Sequence, residues 1–534
     1  MTLAEACGNT VGKTTKSNGQ NTGAVVATVQ KTDSTINESN SYNDIFLTSN
    51  AVEQFIKENQ LNDTIANAIR NFYNTRNYEY AWFASTGLIE QAFSFHSMYC
   101  TEEEKDPFNR SLERELDKLR MGNDTVIVAT DATIIKTELQ LTKKFIDYVL
   151  ENPAKIDVDP AALGKYIPAK KIPVVALADS ILMENSGNKG AQNPDAPYNL
   201  LQIQLGKYAN IVKMGGWQPI VADGKKYSVG FSSPIVRLIK QRLQITGEFP
   251  STDTSAVFDS ALVKSVKAYQ SNHGLTPNGI VMQDLIKNLN IPALTRLQQI
   301  LINIQRMKWA PQRPNGTLIV VNIPEFEVYV DTGKSTLFQM GVVVGAAGHN
   351  TTMFSGNISQ IVFSPYWDVP PSIVKKEIIP GLKKNKRYLE ERDMEITGDE
   401  GGLPVVRQRP GDKNALGKVK FLFPNSFNIY LHDSPEKGLF NRSERGLSHG
   451  CIRLSDAPKL ANYLLRNTAN WPREKIDSAM NSGVEQRTQL WPTVPVIITY
   501  YTSWVDSKGS LHFVEDLYGQ DAKMAAKMFT DPQH

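Results

Sequence analysis

The feature that most constrains the fold is a change of period near Ile300. Upstream, Val52, Phe55, Ile56, Leu61, Ile65, Ile69 and Phe72 recur at the three- and four-residue spacing of one helix face. The aromatic-dense run Asn71–Leu88, the Leu112, Leu116, Leu119 series, and the segments Thr133–Leu150 and Leu200–Met214 continue helical patterns. Downstream, the apolar residues fall into short β-branched runs at 318–323, 326–330, 338–344, 361–363, 427–431 and 494–501, broken by Pro324, Gly333 and Gly345. Asp506-Ser507-Lys508-Gly509 has the turn chemistry of a last hairpin. Helical and strand patterns segregated in this way predict a multidomain α+β chain, helical first and mostly β afterwards.

The 534 residues suit several domains of about 100–200 residues each. Residues 1–45 are rich in Thr, Asn, Ser and Gly and predict a disordered tether. Residues 46–231 predict a helical scaffold. Residues 232–290 form a distinct unit of three short helices. Ser233-Pro234 opens the first, a turn centred on Gly247 ends it, and His273-Gly274 closes the second. Composition reads this unit as a small helical bundle, and its run Ser265–Val281 (SVKAYQSNHGLTPNGIV) resembles the three-helix peptidoglycan-binding module. Residues 300–521 predict the β-rich domain. Within it, the charged, Gly- and Pro-containing stretch 372–414 does not read as strand and predicts an insertion that caps the site. Residues 522–534 read as a C-terminal tail.

Composition excludes several classes. A net charge of +3 gives no support for a nucleic-acid or polybasic membrane binder. No apolar run reaches the ~18 residues a transmembrane helix needs. Three cysteines in so long a chain exclude a disulfide scaffold, and the odd count leaves at least one thiol unpaired within the chain. Cys100, at the end of an aromatic helical stretch, reads as packing. Cys7, ahead of a polar linker, resembles the mature start of a bacterial lipoprotein and is the candidate lipid anchor. No apolar leader precedes it and Glu5 does not suit a lipobox, so either the start is trimmed or Cys7 is an incidental exposed thiol.

The chemistry concentrates in Tyr430–Leu454, YLHDSPEKGLFNRSERGLSHGCIRL, which holds His432, His449 and Cys451. A thiolate attacks an acyl carbon far better than a thiol, and imidazole is suited to take the thiol proton and return it to a leaving amine. Gly450 beside Cys451 fits a tight turn whose backbone N–H groups face a developing oxyanion. The residues alone leave three readings open: a cysteine nucleophile with a histidine base, a metal site from His432, His449 and Cys451, or coincidence. His449-Gly450-Cys451 lacks the paired spacing of closed zinc sites, which weakens the second. A papain-like protease fits poorly, since its cysteine precedes its histidine.

His432, a spacer, and Ser448-His449-Gly450-Cys451-Ile452-Arg453 resemble the signature of the L,D-transpeptidases, the family with the YkuD-like catalytic fold. The resemblance runs from about Ile300 to Asp521 and includes Val321–Phe326, Met340–Gly345, Ser364–Ile373 and Glu515–Asp521. With the aromatic segment upstream and the middle module, the whole chain resembles the large envelope type of that family. The resemblance implies Cys451 as nucleophile and His432 as its general base. It implies Ser448, His449 and Gly450 as the turn that presents the thiol, with His449 orienting substrate or thiolate. Arg453 stands where some relatives have Asn, and holds either a substrate carboxylate or a carboxylate of the protein. Tyr430 shares a strand face with His432 and is a candidate for the oxyanion. Asp433 reads as structural, with a backbone carbonyl as the alternative partner of His432. Tyr366 and Trp367 resemble residues lining the substrate groove.

The implied activity is formation of 3→3 peptidoglycan cross-links by cysteine acyl transfer from a tetrapeptide donor, with release of D-Ala. No metal or other cofactor is implied. The implied partners are stem peptides and glycan, with carbapenem-type β-lactams as covalent inhibitors, and the implied location is the periplasm or cell envelope. The alternatives are an L,D-carboxypeptidase on the same fold and a non-catalytic wall-binding protein.

Overall fold

The computed structural model describes residues 28–99, 112, 115–116, 126–152, 160–187, 197–221, 223–310, 316–333, 335–425 and 427–530. Cys7 and Cys100 lie outside them, as do residues 1–27 of the tether expected over 1–45. Residues 28–45 correct the rest of that expectation. Ile36 and Tyr42 are buried, the Gln30 N–H donates to Asn71 Oδ1 at 2.7 Å, and Asn74 Nδ2 donates to Gln30 O at 2.8 Å. The segment is polar yet ordered because asparagines of the helix Asp63–Asn74 satisfy its backbone.

The N-terminal part is helical, with helices Ser49–Glu58, Asp63–Asn74, Glu90–Tyr99 and Ala132–Glu151. Thr48, Asn62 and Asp131 start three of them, each accepting a backbone N–H of the first turn. The aromatic run supplies their shared core. Trp82 stacks on Phe95 at 5.3 Å and meets Phe145 edge-on at 5.7 Å. A minimal hairpin, β1 (Phe83–Ala84) with β2 (Gly87–Leu88), turns the chain there. Helices Val174–Gly187 and Pro197–Lys213 follow and pack against the helix Ala293–Lys308.

Helices Pro234–Thr246, Ser260–Asn272 and Gln283–Leu289 enclose a core of their own that includes Val236, Phe258, Leu262, Tyr269 and Leu285. Ser233 and Asp259 cap the first two, and Gly247 at φ +87° ends the first in the left-handed conformation a glycine adopts freely. The residues that carry the module's resemblance hold it together. Gln270 Nε2 donates to Asn278 Oδ1 and Ile280 O, while its Oε1 accepts the Gly279 N–H. His273 is buried and stacks on Tyr269 at 3.7 Å.

The β-rich part is built on β3 (Leu318–Asn322), β4 (Glu327–Asp331), β5 (Thr336–Gly345), β6 (Phe354–Phe363), β10 (Val419–Leu422), β11 (Leu431–His432), β12 (Gly446–Ser448), β13 (Ile452–Leu454) and β14 (Gln486–Thr499). Their order is β12-β5-β13-β11-β10-β6-β14-β3-β4, and β4 pairs back onto β5. The sheet therefore closes on itself, with β12 appended to β5. Ile319, Val328, Val342, Ile361, Phe421, Leu431 and Ile452 fill the enclosed core with the helices Ala457–Leu464 and Arg473–Asn481.

Four expectations change. The run 427–431 is paired only from Leu431, because Asn425 organises the preceding turn: its Oδ1 accepts the N–H groups of Phe427 and Ile429 and its Nδ2 donates to Phe423 O and Ile429 O. The late strand expected over 494–501 begins at Gln486, since its polar first half pairs with β6. The stretch 372–414 is not strand-free: β8 (Met394–Glu400) and β9 (Leu403–Gln408) form a hairpin that β7 (Trp367–Asp368) extends. Val369, Ile373, Val374, Ile378 and Val406 give this insertion its own small core. Finally, 522–534 is not simply a tail, for Gln520–Met528 is a helix whose Met524, Ala525 and Met528 are buried, followed by buried Phe529. The hairpin expected at 506–509 is present as β15 (Ser503–Val505) and β16 (Leu511–Phe513).

Candidate active site

Alternation along the strands decides which side chains meet. Leu431, Ile452 and Phe421 point into the core, so their neighbours His432, Arg453 and Lys420 share the opposite face. His432 pairs with Arg453 of β13 on one side and with Lys420 of β10 on the other. Cys451 stands just ahead of β13, and the Ile452 N–H donates to Tyr430 O at 3.2 Å, which brings Tyr430 beside the cysteine. Tyr430 and His432 have ring centroids 5.7 Å apart.

Cys451 is presented by a fixed turn. Gly450 has φ +115°, which L side chains rarely adopt, so the turn requires glycine there. Ser448 Oγ accepts the Gly450 N–H at 3.1 Å and donates to Cys451 O at 2.6 Å. Thr351 Oγ1 donates to Gly450 O at 2.8 Å, and Tyr518 OH, which accepts the Thr351 N–H, donates to Gly345 O at 2.7 Å. The half-buried thiol donates to Asn428 O at 3.6 Å, and no hydrogen bond joins it to His432 among the described residues. Burial pushes the thiol above its ordinary value, while the Tyr430 N–H and hydroxyl, Arg453 and Lys420 pull the other way.

His432 is buried, and its Nδ1 lies 2.5 Å from Asp433 O. A carbonyl only accepts, so Nδ1 carries the proton and Nε2 keeps its lone pair. Burial, then the Arg453 guanidinium, lowers the imidazole to about 3, so it is neutral at pH 7. The Asp433 side chain is occupied elsewhere, accepting the Lys418 N–H at 3.0 Å and Lys437 Nζ at 2.7 Å. Gly417, at φ +61°, packs where an added Cβ would collide with that carboxylate. Gly417→Ala is expected to cost about 1–3 kcal/mol through backbone strain and the displaced Asp433. Urea midpoints of the two proteins check this.

The remaining candidates occupy the margins. His449 is half-exposed, with Nε2 3.2 Å from Glu377 Oε1 of the insertion and its ring 5.0 Å from that of His349. Arg453 Nη1 is held by Glu436 Oε2 at 2.9 Å. Tyr366 lies under the Arg407 guanidinium at 4.1 Å, its N–H donating to Glu485. Trp367 packs on the insertion core from β7. Among the described residues no group of three or more His, Cys, Asp or Glu could hold a metal. Lys420, Asn428, Thr351 and Glu377 are the additions to the sequence-derived set. Lys420 had a signal in the alternation Val419-Lys420-Phe421, but its strand partner is not readable from sequence. The other three had none.

A thiol on a glycine turn, sharing a sheet face with a neutral imidazole fixed at Nδ1, is an arrangement suited to acyl transfer. Residues 316–498 match the model of the L,D-transpeptidase (YkuD) catalytic domain. Residues 67–205 match a scaffold domain and residues 232–287 a peptidoglycan-binding domain. A Haemophilus influenzae protein described as "Putative L,D-transpeptidase" is 30% identical over 243 residues, 42% of this chain and 49% of its own. The chain thus spans about half the length of that relative. Two solved structures overlay with low scores. An L,D-transpeptidase from Mycobacterium smegmatis has TM-score 0.19 and 13% identity over 34% of this chain and 58% of its own. L,D-transpeptidase 3 from Mycobacterium tuberculosis, in complex with a faropenem-derived adduct, has TM-score 0.18 and 16% identity over 34% and 60%.

Proposed function

We propose that this protein forms 3→3 peptidoglycan cross-links in the cell envelope by acyl transfer through Cys451. The observation that carries the reading is the thiol of Cys451 on its glycine turn, beside an imidazole whose Nδ1 is committed to Asp433 O and whose Nε2 is free to accept. Because the thiol is raised and the imidazole lowered, a resting thiolate–imidazolium pair is disfavoured. Proton transfer to His432 Nε2 therefore accompanies attack of sulfur on the carbonyl of the third stem residue, after the thiol turns from Asn428 O. The Cys451 N–H and the Tyr430 hydroxyl receive the oxyanion. The imidazolium returns its proton to departing D-Ala, leaving a thioester. The side-chain amine of the third residue on a second stem displaces sulfur, and the amine proton restores the thiol through His432.

Glycan held by the 232–290 module and lipid anchoring at Cys7 complete this picture of a wall-bound enzyme. Carbapenem-type β-lactams, whose strained carbonyl meets the same thiol, are proposed as covalent inhibitors. The test is mass spectrometry of purified tetrapeptide muropeptides incubated with the full chain. Cross-linked dimers with released D-Ala are expected. Tripeptide alone would make it an L,D-carboxypeptidase, and unchanged substrate would leave a wall-binding protein.

A further inference from the structure

The cations around the candidate site are not equivalent. Arg453 is engaged by Glu436 at 2.9 Å, Arg487 by Glu485 at 2.7 Å, and Lys437 by Asp433 at 2.7 Å. Lys420 differs. It stands directly across from His432 in the antiparallel β10–β11 pair, on the same sheet face as the imidazole. Side chains opposed in this way have Cβ atoms about 5 Å apart. Its Nζ makes one hydrogen bond, to Tyr366 O at 3.2 Å, and no carboxylate lies within ion-pair distance among the described residues. An ammonium has three donors, so two directions remain open.

We propose that Lys420 is the subsite for the terminal carboxylate of the donor stem, so that the enzyme reads whether the residue it will release ends in a free acid. This rests on the acyl-transfer reading above. The donor's last residue carries its carboxylate one residue beyond the scissile carbonyl, about 3.8 Å along the chain. A donor whose carbonyl reaches Cys451, with His432 beside the leaving nitrogen, therefore brings that carboxylate toward the strand next to His432. Lys420 is the cation there. Burial holds its ammonium below the ordinary lysine value, with Glu485 and Asp368 pulling back. A partly desolvated cation with no carboxylate at ion-pair distance favours an incoming anion. A donor extended by one more residue would place an amide against Lys420, so the same contact selects tetrapeptides over longer stems. Arg453, tied to Glu436, pins the β13 end instead.

The experiment compares kcat/KM for a tetrapeptide donor with that for its C-terminal carboxamide, in the full chain and in Lys420→Met and Lys420→Arg. The intact enzyme is expected to prefer the acid by about 10- to 100-fold, the size of a charge-assisted hydrogen bond. Lys420→Met brings the acid down to the level of the amide, and Lys420→Arg keeps most of the preference. A Lys420→Met enzyme that loses rate on both donors equally, with the ratio unchanged, would show a scaffold role through Tyr366 O and overturn the proposal. So would an intact enzyme that does not distinguish acid from amide, even if the variants fail to fold. An intact enzyme inert toward both donors defeats the acyl-transfer reading itself and this proposal with it.

Discussion

Cys451→Ala is expected to lower cross-linking on the order of 10⁶-fold, the loss found when the nucleophile of a nucleophile–base unit is deleted. The fold should tolerate the change. The thiol's contacts, to Asn428 O at 3.6 Å and to the N–H and hydroxyl of Tyr430, are weak ones for sulfur, and the turn around it is held by Ser448 Oγ, Thr351 and Gly450 rather than by sulfur. Cys451→Ser is expected to be nearly as inactive. A hydroxyl is a far weaker acid than a thiol, and an imidazole lowered to about 3 is a weak base for it. The checks are dimer formation from tetrapeptide muropeptides, mass shift on exposure to a carbapenem, and thermal melting. A Cys451→Ala protein that still formed dimers and still gained the carbapenem mass would remove this residue from the mechanism.

His432→Gln should cost about 10²- to 10⁴-fold, the usual contribution of one general base. The pH behaviour is more diagnostic than the rate. The folded imidazole stays neutral down to about 3, against an ordinary value of 6.5. The base form therefore persists through mildly acid conditions, and no acid limb centred near 6.5 should appear in kcat/KM from this group. Stability responds in the opposite window. Between about 6.5 and 3 the unfolded chain binds a proton at residue 432 that the folded chain refuses. Unfolding thus gains with each step down in pH, and the stability present at neutral pH is lost progressively across that interval. His432→Gln removes this contribution, so its urea midpoint should fall less steeply from pH 7 to pH 5 than that of the unmodified chain. Equal slopes would mean that the imidazole titrates normally in the folded state.

What was legible beforehand was what is local. Residues 430–454 carry the nucleophile, both histidines and the turn glycine within one short stretch, and the fold sets His432 and Arg453 side by side on adjoining strands. The partner of His432 Nδ1 was also within reach, since a backbone carbonyl was among the options. What was hidden depends on long-range register or on satisfaction of the backbone. Lys420 meets His432 only because β10 and β11 pair in one register. In the hairpin Met394–Gln408, the β8 side chains are mostly exposed, Ile396 included, so burial-driven alternation gave little sign of it. The segment 28–45 is fixed by hydrogen bonds to Asn71 and Asn74 and by burial of only two large side chains, Ile36 and Tyr42, which a composition argument does not register. The helix Gln520–Met528 buries only a few side chains, too short a stripe to stand out.

The position of β14 has a consequence for how such a chain can be made. Residues 486–499 lie between β6 and β3, and with the β4–β5 pairing they complete the ring. Until a growing chain extends past Thr499, β6 and β3 each present an unpaired edge, and such edges recruit strands from other molecules. The strands joined by β14 are separated from it in sequence by more than a hundred residues, so closing this gap is entropically slow. A chain halted anywhere within β14 would hold every residue from His432 to Cys451 and still be a sticky, open sheet. Holding such a chain unfolded until synthesis is complete avoids that exposure.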